Sequence, residues 1–208
     1  NGSLNMCILI HNTPKSNITE AMFRDFIIRN GDGFGAAYSD GKKVHTIKLL
    51  DPTAKELAHV YNQYLKGRDA ISHLRMRTHG DIDFENCHPY TVTDKLVMAH
   101  NGVLSTGNSW DTSKSDTWHL IDRYLRPMIE KSPDLLFEPA FQKMLGGFIG
   151  SGNRLGFVDA KRGVVIVNRH SGITHKDTWF SNTYAWSPEK FGYVDPSAKY
   201  QNHLIVPK

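Results

Sequence analysis

The chain has 208 residues, with 25 Lys and Arg against 21 Asp and Glu, a net charge of +4 with its 11 His neutral. That length suits one domain, and 39% hydrophobic with 22% charged residues exclude a disordered tail, a collagen-like chain and a coiled-coil rod. No apolar run approaches the roughly 18–20 residues of a membrane span, and the basic residues are scattered, so neither a membrane nor nucleic acid is an expected partner.

In chain order, residues 1–5 are small, polar and non-periodic, and Met6-Cys7-Ile8-Leu9-Ile10 then begins abruptly as a buried strand. The break marks residues 1–6 as a tag remnant or a propeptide, ahead of one domain over residues 7–208. Asn17-Ile18-Thr19-Glu20 opens a helix to about Arg29, with Asn17 as N-cap, Glu20 closing a capping box, and Met22, Phe23, Phe26 and Ile27 on one face. Residues 29–35 carry three glycines and read as a tight turn; no phosphate-cradling glycine motif is present. Residues 36–38 and 43–50 form a hairpin across Ser39-Asp40-Gly41. A second helix covers residues 53–65, strands cover 70–77 and 96–100, and helical spacing runs over 116–130 and 135–144 with a break at Pro133. A late hairpin joins residues 153–158 to 163–168, and a strand over 178–182 precedes an irregular tail. Hairpins set between helical runs predict an α+β fold whose sheets are mainly antiparallel, with helices outside.

Two cysteines, Cys7 and Cys87, give no disulfide framework and no C-x-x-C zinc pair. A reducing, cytoplasmic setting follows, and no secretory signal is visible. Taken alone, Cys7 reads as a small buried residue of the first strand. If the residues ahead of it are removed, its thiol and a free α-amine lie on one residue. That amine, with a reference pKa of about 7.7–8.0, can serve as a general base, so the nucleophile needs no histidine.

Three polar clusters sit at predicted strand ends: His73 to Gly80 continuing to Asn86-Cys87-His88-Pro89, then His100-Asn101-Gly102, then Ser113 to Thr117 entering a helix. Singly they read as structural histidines, an Asn-Gly turn and a helix cap at Asp116. Together with Cys7 their order resembles the class II glutamine amidotransferases, whose glutaminase domains are N-terminal-nucleophile hydrolases. The resemblance runs from Cys7 to about Trp186. It is carried by Arg29-x-x-Asp32-x-x-Gly35, Arg75-x-x-Thr78-His79-Gly80, Asn86-x-His88-Pro89, His100-Asn101-Gly102 and Ser115-Asp116-Thr117. The stretch from Arg75 to Pro89 matches the glucosamine-phosphate synthases without a gap, while the loop from Asn101 to Asp116 is shorter than theirs.

The resemblance implies a four-layer αββα sandwich and hydrolysis of the side-chain amide of L-glutamine. Cys7 would attack the amide carbon, and Asn101 with the Gly102 backbone N–H would form the oxyanion hole. Arg75 would grip the α-carboxylate, Asp116 the α-ammonium, and backbone groups near Thr78 and His79 would line the pocket. Arg29, Asp32, His88 and His100 are possible supporting residues. Arg77, two residues from Arg75, points to the same face of a strand, so alternation does not separate the two; the family's position selects Arg75. His73, His88 and His100 could be read as a metal set, but no ligand spacing compels it, and neither a metal nor a cofactor is expected. Cys87 is read as structural. The resemblance occupies nearly all of residues 7–208, so the ammonia acceptor is expected to be a separate synthase. Two rivals are another N-terminal-nucleophile amidase with a different acyl substrate, and a catalytically silent glutamine-binding or scaffold domain.

Overall fold

The computed structural model describes residues 7–76, 84, 87–104 and 114–193. Strand β1 (Ile8–Asn12) is buried along its whole length. Its even residues Ile8 and Ile10 join one apolar cluster and Leu9 joins another, so the continuous apolar run is that of a strand covered on both faces. Helix α1 (Glu20–Asn30) is capped by Thr19, whose hydroxyl accepts the Met22 N–H at 3.3 Å. This corrects the expected cap at Asn17: Thr19 is the residue in extended conformation immediately before the first helical turn.

Strands β2 (Gly33–Ser39) and β3 (Val44–Leu50) form the expected hairpin, but β2 starts inside the glycine-rich stretch that was read as a turn. Gly35 is a strand residue whose missing side chain leaves room for the His88 carbonyl, which packs directly on its Cα. Helix α2 (Ala54–Val60) has a complete capping box between Thr53 and Glu56 and continues through a π-helical turn, Tyr61–Leu65. Strand β4 (Ala70–Arg75) is followed by β5 (Tyr90–Thr93) and β6 (Leu96–Asn101). Helix α3 (Asp116–Leu120) passes through a π-helical turn at Ile121–Leu125 into α4 (Arg126–Lys131). The helix expected over 135–144 begins instead at Pro139, as α5 (Pro139–Ile149), because proline fits the first helical position. Strands β7 (Arg154–Asp159) and β8 (Gly163–Val167) make the late hairpin, and β9 (Ile173–His175) and β10 (Thr178–Phe180) follow. Strand β10 ends two residues before the expected Asn182.

One sheet has six strands in the order β3-β2-β4-β1-β10-β9 and the other four in the order β5-β6-β7-β8. Every neighbouring pair is antiparallel. Helices α1 and α2 cover the outer face of the larger sheet through Phe23, Phe26, Leu57 and Tyr61. Helices α3 to α5 cover the outer face of the smaller sheet through Leu120, Leu125, Phe141 and Leu145. Between the sheets lie Leu9, Ala37, Ile71, Val97, Ala99, Val158 and Trp179. The architecture is therefore the αββα sandwich of two antiparallel sheets. No helix among the described residues is long and apolar enough to cross a membrane.

Candidate active site

Antiparallel pairing brings the functional side chains together. Strand β1 pairs with β4 so that Ile8 faces Leu74, and the start of β1 therefore meets the end of β4 at Arg75 and Met76. The start of β2 lies at the same end, with Gly33 opposite Arg75 and the Asp32 N–H donating to the Arg75 carbonyl at 3.3 Å. The end of β6 supplies Asn101, and the residues after β10 supply Asn182. Alternation aims the first three inward. Cys7 has the parity of Leu9, Arg75 that of Ile71, and Asn101 that of Val97 and Ala99, all of which pack between the sheets.

Cys7 is held by its backbone and its thiol. Its carbonyl accepts Nδ2 of Asn101 at 2.5 Å and Nδ2 of Asn182 at 2.9 Å, one donor from the end of β6 and one from just after β10. Its Sγ accepts the Met76 N–H at 3.5 Å and lies 3.8 Å from the Met76 carbonyl. Burial pushes the thiol pKa up; the Met76 N–H and the Arg75 charge pull it down by less, so the resting group is the neutral thiol. Arg75 is buried, and its charge also bears on His73, His88 and Tyr90.

Gly102, directly after Asn101, has φ +136, and a Cβ there would collide with Asn153 Oδ1 and the Gly152 carbonyl. Only glycine allows the chain to turn so tightly behind the Asn101 amide. Asp116 closes the same loop from the other side. Its Oδ2 accepts the Leu104 N–H at 2.7 Å, and its Oδ1 accepts the Thr117 N–H at 2.7 Å and the Thr117 hydroxyl at 3.2 Å. This corrects the expected cap at Asp116: Ser115, whose hydroxyl accepts the Trp118 N–H at 3.1 Å, caps α3, and Asp116 is the first helical residue and also braces the segment that follows Gly102. Its charge and that of Arg75 act in opposite senses on the Tyr90 hydroxyl.

The supporting residues divide. Arg29 donates to the Tyr184 carbonyl at 2.7 Å and ties the end of α1 to the turn that carries Asn182. The charge of Asp32 is felt at the Cys7 thiol. His88 Nδ1 lies 3.3 Å from His73 Nε2, and His100 is held by the Thr117 hydroxyl and Asn153 Oδ1, both at 2.8 Å. Burial lowers the pKa of all three imidazoles, that of His73 to about 3, so they are neutral packing elements at physiological pH. Among the described residues no group of His, Cys, Asp or Glu has the geometry of a metal site. Cys87 is fully buried and donates to the Phe34 carbonyl at 3.3 Å. Thr78, His79, Arg77 and Asn86 lie outside the described residues.

Asn182 was not anticipated from the sequence. It occupies the end of an expected strand, but nothing local signals that this strand pairs with β1 and so delivers it to Cys7.

The family model for class-II glutamine amidotransferases matches residues 21–119, a span that contains Arg75, Asn101, Gly102 and Asp116. The match covers just under half of the chain and likens it to the class II glutamine amidotransferases. An amidophosphoribosyltransferase of Methanocaldococcus jannaschii is 35% identical over 79 residues, covering 36% of this chain and 17% of the relative. A glutamine–fructose-6-phosphate aminotransferase of Streptococcus pyogenes is 28% identical over 103 residues, covering 48% of this chain and 17% of the relative. The chain therefore spans under a fifth of the length of these two curated relatives. Among solved structures, a glutamine phosphoribosylpyrophosphate amidotransferase from B. subtilis has TM-score 0.46 and 20% identity, covering 86% of this chain and 42% of that one.

Proposed function

We propose that the Cys7 end of the sandwich hydrolyses the side-chain amide of L-glutamine, releasing glutamate and ammonia through a Cys7 thioester. The observation that carries this reading is the convergence on Cys7: two carboxamides, from the end of β6 and from just after β10, on its carbonyl, with the Arg75 charge acting on its thiol. The similarity of residues 21–119 to the class II glutamine amidotransferases supports it.

Because burial keeps the thiol protonated, attack needs a base. Removal of the residues ahead of Cys7 supplies one as the free α-amine, whose reference pKa of about 7.7–8.0 suits work near neutrality. The amine takes the thiol proton as Sγ bonds to the amide carbon. The second Asn101 N–H and the Gly102 N–H receive the negative charge that develops on the amide oxygen. Collapse of the intermediate breaks the C–N bond, and the protonated amine gives its proton to the departing ammonia. Water then attacks the thioester, the amine again removing a proton, and glutamate leaves with the thiol restored.

Arg75 binds the substrate α-carboxylate with a guanidinium fork, and Asp116, whose carboxylate has lone pairs beyond its present bonds, takes the α-ammonium. Thr78 and His79 complete the pocket by the family resemblance. The released ammonia passes to an acceptor synthase, in keeping with the family resemblance.

The test is glutamate release by protein beginning at Cys7, together with trapping by an electrophilic glutamine analogue. The expected result is one label per chain, on Cys7, blocked by glutamine. Labelling elsewhere, or no glutamate release, would overturn the assignment. Preference for a larger acyl amide over free glutamine would favour the rival amidase.

A further inference from the structure

Resting on the glutaminase reading above, we infer that Asn182 is a positioning residue of the reaction, which orients both the nucleophile's own peptide and the oxyanion donor Asn101. Its Nδ2 faces three acceptors: the Cys7 carbonyl at 2.9 Å, Ser181 Oγ at 3.2 Å and Asn101 Oδ1 at 3.4 Å. The contact with Asn101 Oδ1 settles which end of the Asn101 carboxamide is which. With its oxygen turned to Asn182, its NH₂ must point toward Cys7. The contact with the Cys7 carbonyl fixes the peptide plane of the residue that carries both the thiol and the α-amine.

Asn182 is itself held in place from within the core. Its Oδ1 accepts the Tyr184 N–H at 3.0 Å, and its carbonyl accepts Trp186 Nε1 at 3.3 Å. Trp186 packs against Phe26 and Phe180, with ring centroids 6.3 and 4.6 Å away. Arg29 fastens the Tyr184 carbonyl. Ser181 adds a second tie to β1, its hydroxyl accepting the Leu9 N–H at 2.9 Å. The 181–186 segment is thus a rigid bracket whose one polar tip touches Cys7 and Asn101. A donor aimed before the reaction begins needs no reorganisation when charge develops, which is the general reason such a bracket accelerates chemistry without binding substrate.

Asn182→Asp tests the role. The isosteric carboxylate keeps the acceptor for the Tyr184 N–H but turns an oxygen toward the Cys7 carbonyl and Asn101 Oδ1. At pH 8 kcat for glutamine should fall roughly tenfold or more while KM stays within about twofold, because the role argued for Asn182 runs through its bonds to Cys7 and Asn101. As pH is lowered toward 4 the carboxyl gains a proton and can donate again, so the ratio of variant to wild-type rate at each pH should rise. Dividing by wild type removes the titration of the shared α-amine. Should Asn182→Asp fail to fold, Asn182→Ala carries the test, with the same loss of kcat and a ratio independent of pH. A kcat within twofold of wild type, a loss confined to KM, or a flat ratio for Asn182→Asp would overturn the inference while leaving an active glutaminase. Wild-type protein beginning at Cys7 that releases no glutamate would instead remove the glutaminase reading, and the inference with it.

Discussion

Strand β1 ends in polar side chains at both extremities, on the same inward face. At its far end His11 Nε2 donates to Asp69 at 2.6 Å, Arg169 donates to His11 Nδ1 at 2.8 Å, and Asp69 also accepts the Val164 N–H at 3.1 Å. These groups close on one another across the two sheets. At the near end Asn101 and Asn182, one from the end of β6 and one from just after β10, both turn their donors onto the backbone of Cys7. The strand, the pairing and the alternation are common to both ends. The difference is that the far cluster satisfies itself, whereas the near cluster converges on the residue proposed as nucleophile. A self-satisfied polar network stabilises; a network aimed at one residue prepares chemistry.

The sharpest way to break that contrast is Cys7→Ala, which should abolish glutamate release while shifting the thermal midpoint little, since one sulfur atom at a partly exposed position is lost. Next is Asn101→Ala, which removes an oxyanion donor and should lower kcat by about 10²–10³-fold. Arg75→Ala should raise KM for glutamine by roughly 10- to 100-fold, the worth of a charge-assisted bidentate pair, with a smaller change in kcat. Steady-state kinetics separates the two patterns. At the far end Asp69→Ala should cost about 1 kcal/mol of stability by denaturant titration, the low end for a lost partner because Asp69 is 40% exposed, and should leave kcat and KM unchanged.

The Asp69 carboxyl also carries a pH signature. Burial alone would raise its pKa, but the hydrogen bond and charge of His11, with the Val164 N–H and Arg169, hold it below the ordinary carboxylate value. Its contribution to stability is therefore complete above the unfolded value of about 3.9 and is lost as pH falls through the lower folded value. Asp69→Ala should flatten the acid limb of the stability profile in that window. Activity loss in Asp69→Ala without loss of stability would erase the distinction between the two ends.

Much of this was legible in the sequence because it is local. Strand β1 declares itself by an apolar run and the β2–β3 and β7–β8 hairpins by their turn residues, while Arg75 and Asn101 are singled out by the family resemblance. Less visible were features that depend on distant partners. The glycines at 33 and 35 look like a turn, yet Gly35 belongs to a strand because the His88 carbonyl, far along the chain, rests against it. Strands β5 and β9 are short, and β5 is only partly covered, so they carry little hydrophobic signal. Asn182 escaped notice for the same reason: its role exists only through the pairing of β10 with β1. The three histidines, for which no ligand spacing compelled a metal set, are left by burial in the fold as neutral packing residues.

The central claim is that Cys7 works as a nucleophile whose own α-amine is the base. Its most direct measurement compares the rate of glutamate release for protein beginning at Cys7 with that of protein retaining residues 1–6, in which the Cys7 nitrogen is an amide. The account predicts activity for the first and a rate at background for the second, restored by removing the leader. Equal rates for the two proteins would contradict it.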